Sequence, residues 1–348
     1  MPLGNTTIKK EHILKDINQL LLDYGFKTSD IYDRNCFDIV ARKDDVLVVL
    51  KILVNIDSLS SIQSEEIRKL AGIFRAAPII IGLKHKTNYL EEDVVYERYD
   101  IPAISPQTFC NVVVNEAHPE IYARRGGYYV QIDGNLLKQL REEKNLSLKK
   151  LADISHVSRE TIYKYEQGIS LTYPETAILL ENILDKPIVK TINIYSQRNE
   201  DFINDLIKEP EELIKLGFEI SSAKKTPFDA ITQSDNEDIQ ELEKLKKKLA
   251  DGLDEVKSLQ EKIMKKSSKD LLLTNLDKNR DNKTLNKMSL KLEDIANITE
   301  NDALFVLEHE KDETIINNVP IIYKWELKEM DSSKDVLKLI KERKSEKS

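Results

Sequence analysis

Apolar residues open the chain at helical spacing. Ile13, Leu14, Ile17, Leu20 and Leu21 fall on one face and Gly25 follows, which predicts an amphipathic helix over residues 7–25. The period then shortens to that of extended chain. CFDIVARKDDVLVVLKILV predicts two strands joined by a tight polar turn at residues 43–45. SLSSIQSEEIRKLAGIFRAA predicts a helix, PIIIGLK a buried strand, DIPAISP a further short strand and TFCNVVVNE another helix. Helix, strand, strand, helix, strand is the order of a small α/β layer domain. IYARRGGYYVQID (121–133) follows as a glycine-marked junction.

From about Asp133 to Leu184 the pattern is of short helices alone. Leu136, Leu137 and Leu140 give the first an apolar stripe. Ser147 is placed to cap a second, with Leu148, Leu151 and Ala152 inward. Ser155-His156-Val157 forms the turn, and Ser158 caps a third helix with Ile162 and Tyr165 inward. Thr172-Tyr173-Pro174-Glu175 predicts a capping box opening a fourth, with Ala177, Leu180 and Leu184 inward. Short helices with those joints are a helix-turn-helix arrangement.

The early pattern returns near the other end. Gly25-Phe26 and Gly217-Phe218 are each followed, ten or eleven residues on, by Phe-Asp and a strand pattern, at Phe37-Asp38 and Phe228-Asp229. EIRKLAGIFRAAPIIIGLKHKT is echoed by KLEDIANITENDALFVLEHEKD, and DIPAISPQTF by NVPIIYKWEL. Three echoes in one order predict a duplicated α/β module on either side of the central helices. The second copy carries an insertion, residues 235–268, of which 17 of 34 are charged. Leu242, Leu245, Leu249, Val256, Leu259 and Ile263 follow a 3–4 spacing within it. One helix over 239–263 would be ~37 Å long, too long to return the chain to the neighbouring strand. Asp251-Gly252 is a break near its middle, so two helical arms are expected, either as a solvated projection or as a coiled-coil contact to another chain.

Charge sharpens this reading. The chain of 348 residues carries a net charge of −8, which argues against nucleic acid covering the whole surface. Residues 134–168 reverse the sign, with seven Lys and Arg against five Asp and Glu. A DNA reader needs one such locally basic face. Two cysteines, Cys36 and Cys110, fit a reducing setting, and cytoplasmic localisation is expected. The N-terminal stretch lacks the apolar centre of a signal peptide, and no apolar run approaches the ~20 residues of a membrane span. His12, His85, His118, His156 and His309 are scattered, so no metal site and no cofactor are expected.

Leu151-Ala152, Val157-Ser158, Thr161-Ile162 and Tyr165-Glu166-x-Gly168 resemble the phage-repressor (Cro/cI) type of helix-turn-helix domain. That resemblance implies that the third helix, about 158–167, enters the major groove of double-stranded DNA. Arg159, Glu160, Thr161, Tyr163 and Lys164 are then the candidate base contacts. Arg159 suits guanine O6 and N7, and Glu160 suits cytosine N4. Ser147, Leu148, Lys149 and Lys150 are the candidate phosphate contacts. Arg141 and Glu166 match a partly buried ion pair of that family. Two positions depart from it: Leu148 stands where Gln is usual, and His156 where the turn has Gly.

The first module resembles the restriction-endonuclease-like PD-(D/E)xK fold, in which an Asp and a (D/E)-x-K hold a divalent metal. Asp38 and Lys51 stand in matching places, but the middle position is Val49. In the second module Asp229 remains, while the strand LLLTNL offers Leu273 and Asn275. The stretches FDIVAR, AAPIIIG, DVVYERYDIPAISP, YARRGGYYVQIDG and GFEI…PFDA together resemble a family of archaeal helix-turn-helix transcriptional regulators.

The expected protein is therefore of α+β multidomain class. A central all-α helix-turn-helix domain (128–190) is flanked by two α/β restriction-endonuclease-like modules, 1–127 and 191–348, the second with a helical-hairpin insertion. The expected function is sequence-specific transcriptional regulation as a homodimer, without catalysis. The alternative is a structure-selective or degenerate nuclease-like DNA-binding protein.

Overall fold

The computed structural model describes residues 9–197, 207–234, 271–276, 280–311 and 313–345. The expected arms and coiled-coil contact of 235–268 lie outside the described residues. The chain forms two compact units: Met1–Phe26, Leu50–Glu65 and Ala77–Gln197 make one, and Lys27–Val49, Glu66–Ala76 and Arg198–Ser348 the other.

The N-terminal elements follow the apolar pattern closely. α1 (Lys10–Asp23) buries Ile13, Leu14, Ile17 and Leu21. β1 (Lys27–Thr28), β2 (Ile39–Lys43) and β3 (Val46–Asn55) come next, and Asp44 takes the left-handed turn between β2 and β3 at φ 50°. β3 buries Leu47 through Ile52 without alternation, as a strand covered on both faces does. α2 (Ser61–Phe74), β4 (Ala77–His85), β5 (Asn88–Tyr89), β6 (Val94–Arg98), β7 (Ile101–Ile104) and α3 (Pro106–Asn115) continue the chain. Ser105 caps α3, accepting from the Thr108 amide, with Pro106 in the first turn.

Residues 121–130 form a strand pair: β8 (Ile121–Arg124) and β9 (Gly127–Val130) are antiparallel, with Arg124 opposite Gly127. Gly126 at φ 103° and Gly127 at φ 143° supply backbone that side chains resist, which is why the glycines there signalled a junction. The strand order is β1-β2-β3-β4-β7-β6-β8-β9, with β5 beside β4.

The second unit carries α8 (Glu211–Lys215), β10 (Phe218–Ser222), β11 (Ala230–Ser234), β12 (Leu271–Leu276), α9 (Asn282–Thr299), β13 (Asp302–Leu307), β14 (Ile315–Ile316), β15 (Val319–Tyr323), α10 (Lys324–Lys328) and α11 (Ser333–Ser345). Its strand order, β10-β11-β12-β13-β15-β14, is the order β1-β2-β3-β4-β7-β6 repeated. The sense of pairing agrees as well: β12 with β13 and β13 with β15 are parallel, as is β4 with β7. Leu213, Phe218, Ile220, Leu272, Leu304, Ile322, Val336 and Ile340 pack into one core.

Within the second unit, residues 27–49 and 66–76 meet the later elements through paired contacts. The Asp30 amide and the Tyr32 hydroxyl donate to Asp294 Oδ2 on α9, at 2.8 and 2.6 Å. Lys69 on α2 donates to the Ser222 carbonyl at the end of β10. Arg42 donates to the Ile298 and Thr299 carbonyls at the end of α9, and the Lys224 amide donates to Glu66. Phe74 and Phe228 meet edge to face, centroids 6.4 Å apart.

Candidate nucleic-acid interface

In the first unit, α4 (Gly134–Glu143), α5 (Leu148–Ile154), α6 (Arg159–Glu166) and α7 (Pro174–Leu184) enclose a small core. Leu137, Leu140, Leu151, Ala152, Ile162, Tyr165, Leu180 and Leu184 form it, with Leu136 and Leu148 packed at its edge. Asp133 caps α4, Ser147 caps α5 by accepting from the Lys150 amide, and Ser158 caps α6 by accepting from the Thr161 amide. Each cap satisfies an amide that the first helical turn leaves unbonded. His156 holds the turn between α5 and α6 in the left-handed region, at φ 54°. Its short aromatic side chain tolerates that backbone better than most residues do.

Arg141 and Glu166 lock α6 to α4. Arg141 Nε donates to Glu166 Oε1 at 2.5 Å, and Nη1 donates to the Leu146 carbonyl at 2.8 Å. The hydrogen bond to Glu166 raises the Arg141 pKa above its ordinary value. Gly134 is needed beside them: a Cβ there would lie 2.3 Å from the Glu166 carbonyl oxygen.

The outward face of α6 carries the residues named from the sequence. Arg159, Glu160, Tyr163 and Lys164 are exposed and Thr161 is half-buried, while Ile162, Tyr165 and Glu166 face inward. Glu160 and Lys164 pair at 2.8 Å, and that bond lowers the Glu160 pKa. Ser147, Lys149 and Lys150 are exposed at the start of α5. Leu148 differs from its neighbours: it is half-buried and packs on the helical core.

The expected capping box at α7 does not form. Pro174 begins the helix, so Tyr173 is the capping residue, and its side chain makes no capping hydrogen bond. The Thr172 hydroxyl instead accepts from the Tyr165 hydroxyl at 2.8 Å. The Thr172 backbone exchanges two hydrogen bonds with Val130 of β9, at 2.8 and 3.0 Å. Sequence reading did not place β8 and β9 beside the helices. The available signal was the clustering of Tyr122, Tyr128 and Tyr129 around Arg124-Arg125-Gly126-Gly127.

Comparison with known proteins agrees with this geometry. A Helix-turn-helix domain is matched over residues 137–190, and a PD-(D/E)XK superfamily domain over residues 10–119. A candidate HTH-type transcriptional regulatory protein of Methanothermobacter thermautotrophicus is 43% identical, over 97% of this chain and 98% of its own. One from Methanobrevibacter smithii is 42% identical over 97% and 99%. One from Pyrococcus horikoshii is 34% identical over 96% and 98%. The chain belongs to this archaeal HTH-type transcriptional regulatory protein family. It thus joins a regulator-type helical domain to a nuclease-type fold.

The nuclease-type residues do not fit a divalent cation. Such an ion needs several converging oxygen ligands. Asp38 is fully buried just before β2, and Val49 and Lys51 are buried on β3, where Val49 offers no oxygen. In the second unit, Asp229 accepts from Arg280 through both oxygens, at 3.1 and 3.2 Å, and from the Leu276 amide at 3.2 Å. A guanidinium thus holds the carboxylate that a metal would need. Asn275, in the position matching Lys51, accepts from the Asp229 amide at 3.0 Å. Among the described residues, no group of three or more His, Cys, Asp or Glu is arranged to hold a metal. Among them too, no helix is long and apolar enough to cross a membrane.

Proposed function

We infer that this chain regulates transcription by reading a short double-stranded DNA site through α6. The observation carrying this is that Arg159, Glu160, Thr161, Tyr163 and Lys164 project from a helix that the Arg141–Glu166 pair and the Ser158 cap hold fixed. A fixed helix can present side chains to base edges without ordering them anew. On DNA, Arg159 takes a guanine, and the Glu160–Lys164 pair opens so that each meets a base. Ser147, the Leu148 backbone, Lys149 and Lys150 hold phosphates and set the register.

One such helix reads few bases, so the chain acts as a homodimer on two half-sites. It works in the cytoplasm. Its division is into 1–127, 128–190 and 191–348, the outer two being PD-(D/E)XK-type modules that bind and position rather than cut. The likeness of strand order supports the second of these as a copy of the first.

Selection from a randomised duplex pool on the full-length chain tests the reading. Arg159→Ala lowers affinity by ~1–3 kcal/mol at one base position and relaxes preference there, whereas Lys149→Ala weakens all duplexes alike. Equal losses on selected and random duplexes from both substitutions would overturn these roles. The nuclease reading is tested by incubating plasmid and branched DNA with magnesium. No cutting is expected, and cutting abolished by Asp38→Ala would reverse the conclusion.

A further inference from the structure

The strand pair β8–β9 is fixed to the segment that leaves α6. Thr172 connects them: its hydroxyl is bonded to Tyr165 of α6, and its backbone to Val130 of β9. Further along, the Asp133 amide donates to the Ile188 carbonyl and the Lys190 amide to the Gln131 carbonyl, both at 2.8 Å. The pair is therefore held at two places and is not a loose connection.

Its free end is basic and aromatic. Arg124 and Arg125 are exposed at the tip, and residues 121–130 contain no acidic side chain. The cross-strand partners Tyr122 and Tyr129 share one face, as does Arg124 two residues beyond Tyr122. The Arg124 guanidinium lies 5.4 Å from the Tyr122 ring centre. Tyr129 packs on Tyr173 with ring centres 4.9 Å apart, and its hydroxyl donates to that of Tyr173. Tyr173 is exposed and stands at the start of α7, immediately after the loop from α6. On the other face, the Tyr128 hydroxyl donates to Glu91. One ladder, Arg124–Tyr122–Tyr129–Tyr173, thus runs from the hairpin tip to the helical domain.

We propose that the β8–β9 hairpin is a second DNA-binding element, in which Arg124 and Arg125 hold phosphates beside the major groove read by α6. This rests on the reading of α6 as the recognition helix. The tip lies three residues beyond Val130, about 10 Å at strand rise. The major groove is about 12 Å wide, so an arm of that length reaches its bordering backbone. Arginine forks match phosphate oxygens, and the stacked tyrosines restrict where those forks point. The two glycines leave no side chain between the tip and an approaching strand. Phosphate contact adds affinity and salt dependence without adding base preference.

The test uses the full-length chain and the duplex recovered by selection, with a random duplex for comparison, over a salt series. Arg124→Ala with Arg125→Ala should weaken both duplexes about ten-fold at moderate salt. The slope of log affinity against log salt should become shallower by about 1.8, at ~0.9 per phosphate contact. The base preference recovered by renewed selection should stay the same. Arg124→Lys with Arg125→Lys should keep most of the slope, since the charges remain. Unchanged affinity and slope in the alanine variant, or altered preference at a base position, overturns the hairpin's role while leaving α6 in place. Wild-type chain that selects no duplex, or preference insensitive to Arg159→Ala, overturns the α6 reading and the hairpin's role with it.

Discussion

The two sheets share strand order and pairing sense, yet carry different residues around matching aspartates. Asp38 is buried beside a strand bearing Val49 and Lys51. Asp229, at the matching place, is engaged by Arg280, the Leu276 amide and, through its own amide, Asn275. The helices α2 and α9 differ similarly. By the repeat, Lys69 and Asp294 are equivalent, as are Ser222 and Asp30. Lys69 donates to the Ser222 carbonyl, whereas Asp294 accepts from the Asp30 amide. A backbone end offers both a carbonyl and an amide, so a cation or an anion can close the same contact. Apolar burial preserves the order of elements, while the polar chemistry at equivalent places is free to invert.

The largest test of this difference is Asp229→Ala. It leaves the Arg280 guanidinium without its carboxylate and the Leu276 amide without an acceptor. A loss of about 3 kcal/mol in urea unfolding is expected. A double-mutant cycle with Arg280→Ala should return a coupling of ~1–3 kcal/mol. A coupling near zero would mean that Asp229 is not held by Arg280 in solution.

Next comes Asp294→Ala, which removes an acceptor from both Asp30 and Tyr32 and should cost about 2 kcal/mol, one per hydrogen bond. Lys69→Met should cost about 1 kcal/mol, because methionine keeps the buried stem and loses the bond to Ser222. Equal losses at the two positions would erase the distinction between them.

The smallest effect is a pH dependence. Burial, partly offset by the bonds from Tyr32 and Asp30, holds the Asp294 carboxyl above the usual carboxylate range. Its folded form therefore binds the proton more tightly than the unfolded chain does. That share of stability is full below the ordinary carboxylate pKa and is lost as pH rises through the raised value. Asp57 behaves oppositely. Burial raises it, but the Lys86 amide, Arg98 and His85 outweigh this and lower it to about 2. Its share is present above pH ~4 and lost as pH falls towards 2. Asp294→Asn and Asp57→Asn should each flatten their own window in unfolding measured against pH, and exchange of the two windows would refute the assignment.

The helices α1, α4, α5, α6 and α7 were legible because each repeats apolar residues at helical spacing, and the strands β2, β3 and β4 because each is a continuous apolar run. The helix α6 was legible for a further reason. Caps at Ser147 and Ser158 and the left-handed turn at His156 are local, and local rules connect them to neighbours three or four residues away. β6 and β8 were missed because VVYER and IYAR are short and lack strong alternation. The capping box at Thr172 was misread because its hydroxyl had a competing partner, Tyr165, seven residues earlier.

By itself the sequence determined the order of the longer elements, the identity of the helix-turn-helix and the lack of an acid at position 49. These follow from periodicity and residue chemistry, which need no knowledge of distant partners. Tertiary structure decided that Arg280 occupies Asp229, that Asp294 closes on Asp30 and Tyr32, and that β8–β9 joins α6 through Thr172. Each of these depends on which of many polar groups meets another across the fold. A hydrogen bond is decided within a few tenths of an ångström, and no local spacing encodes that distance.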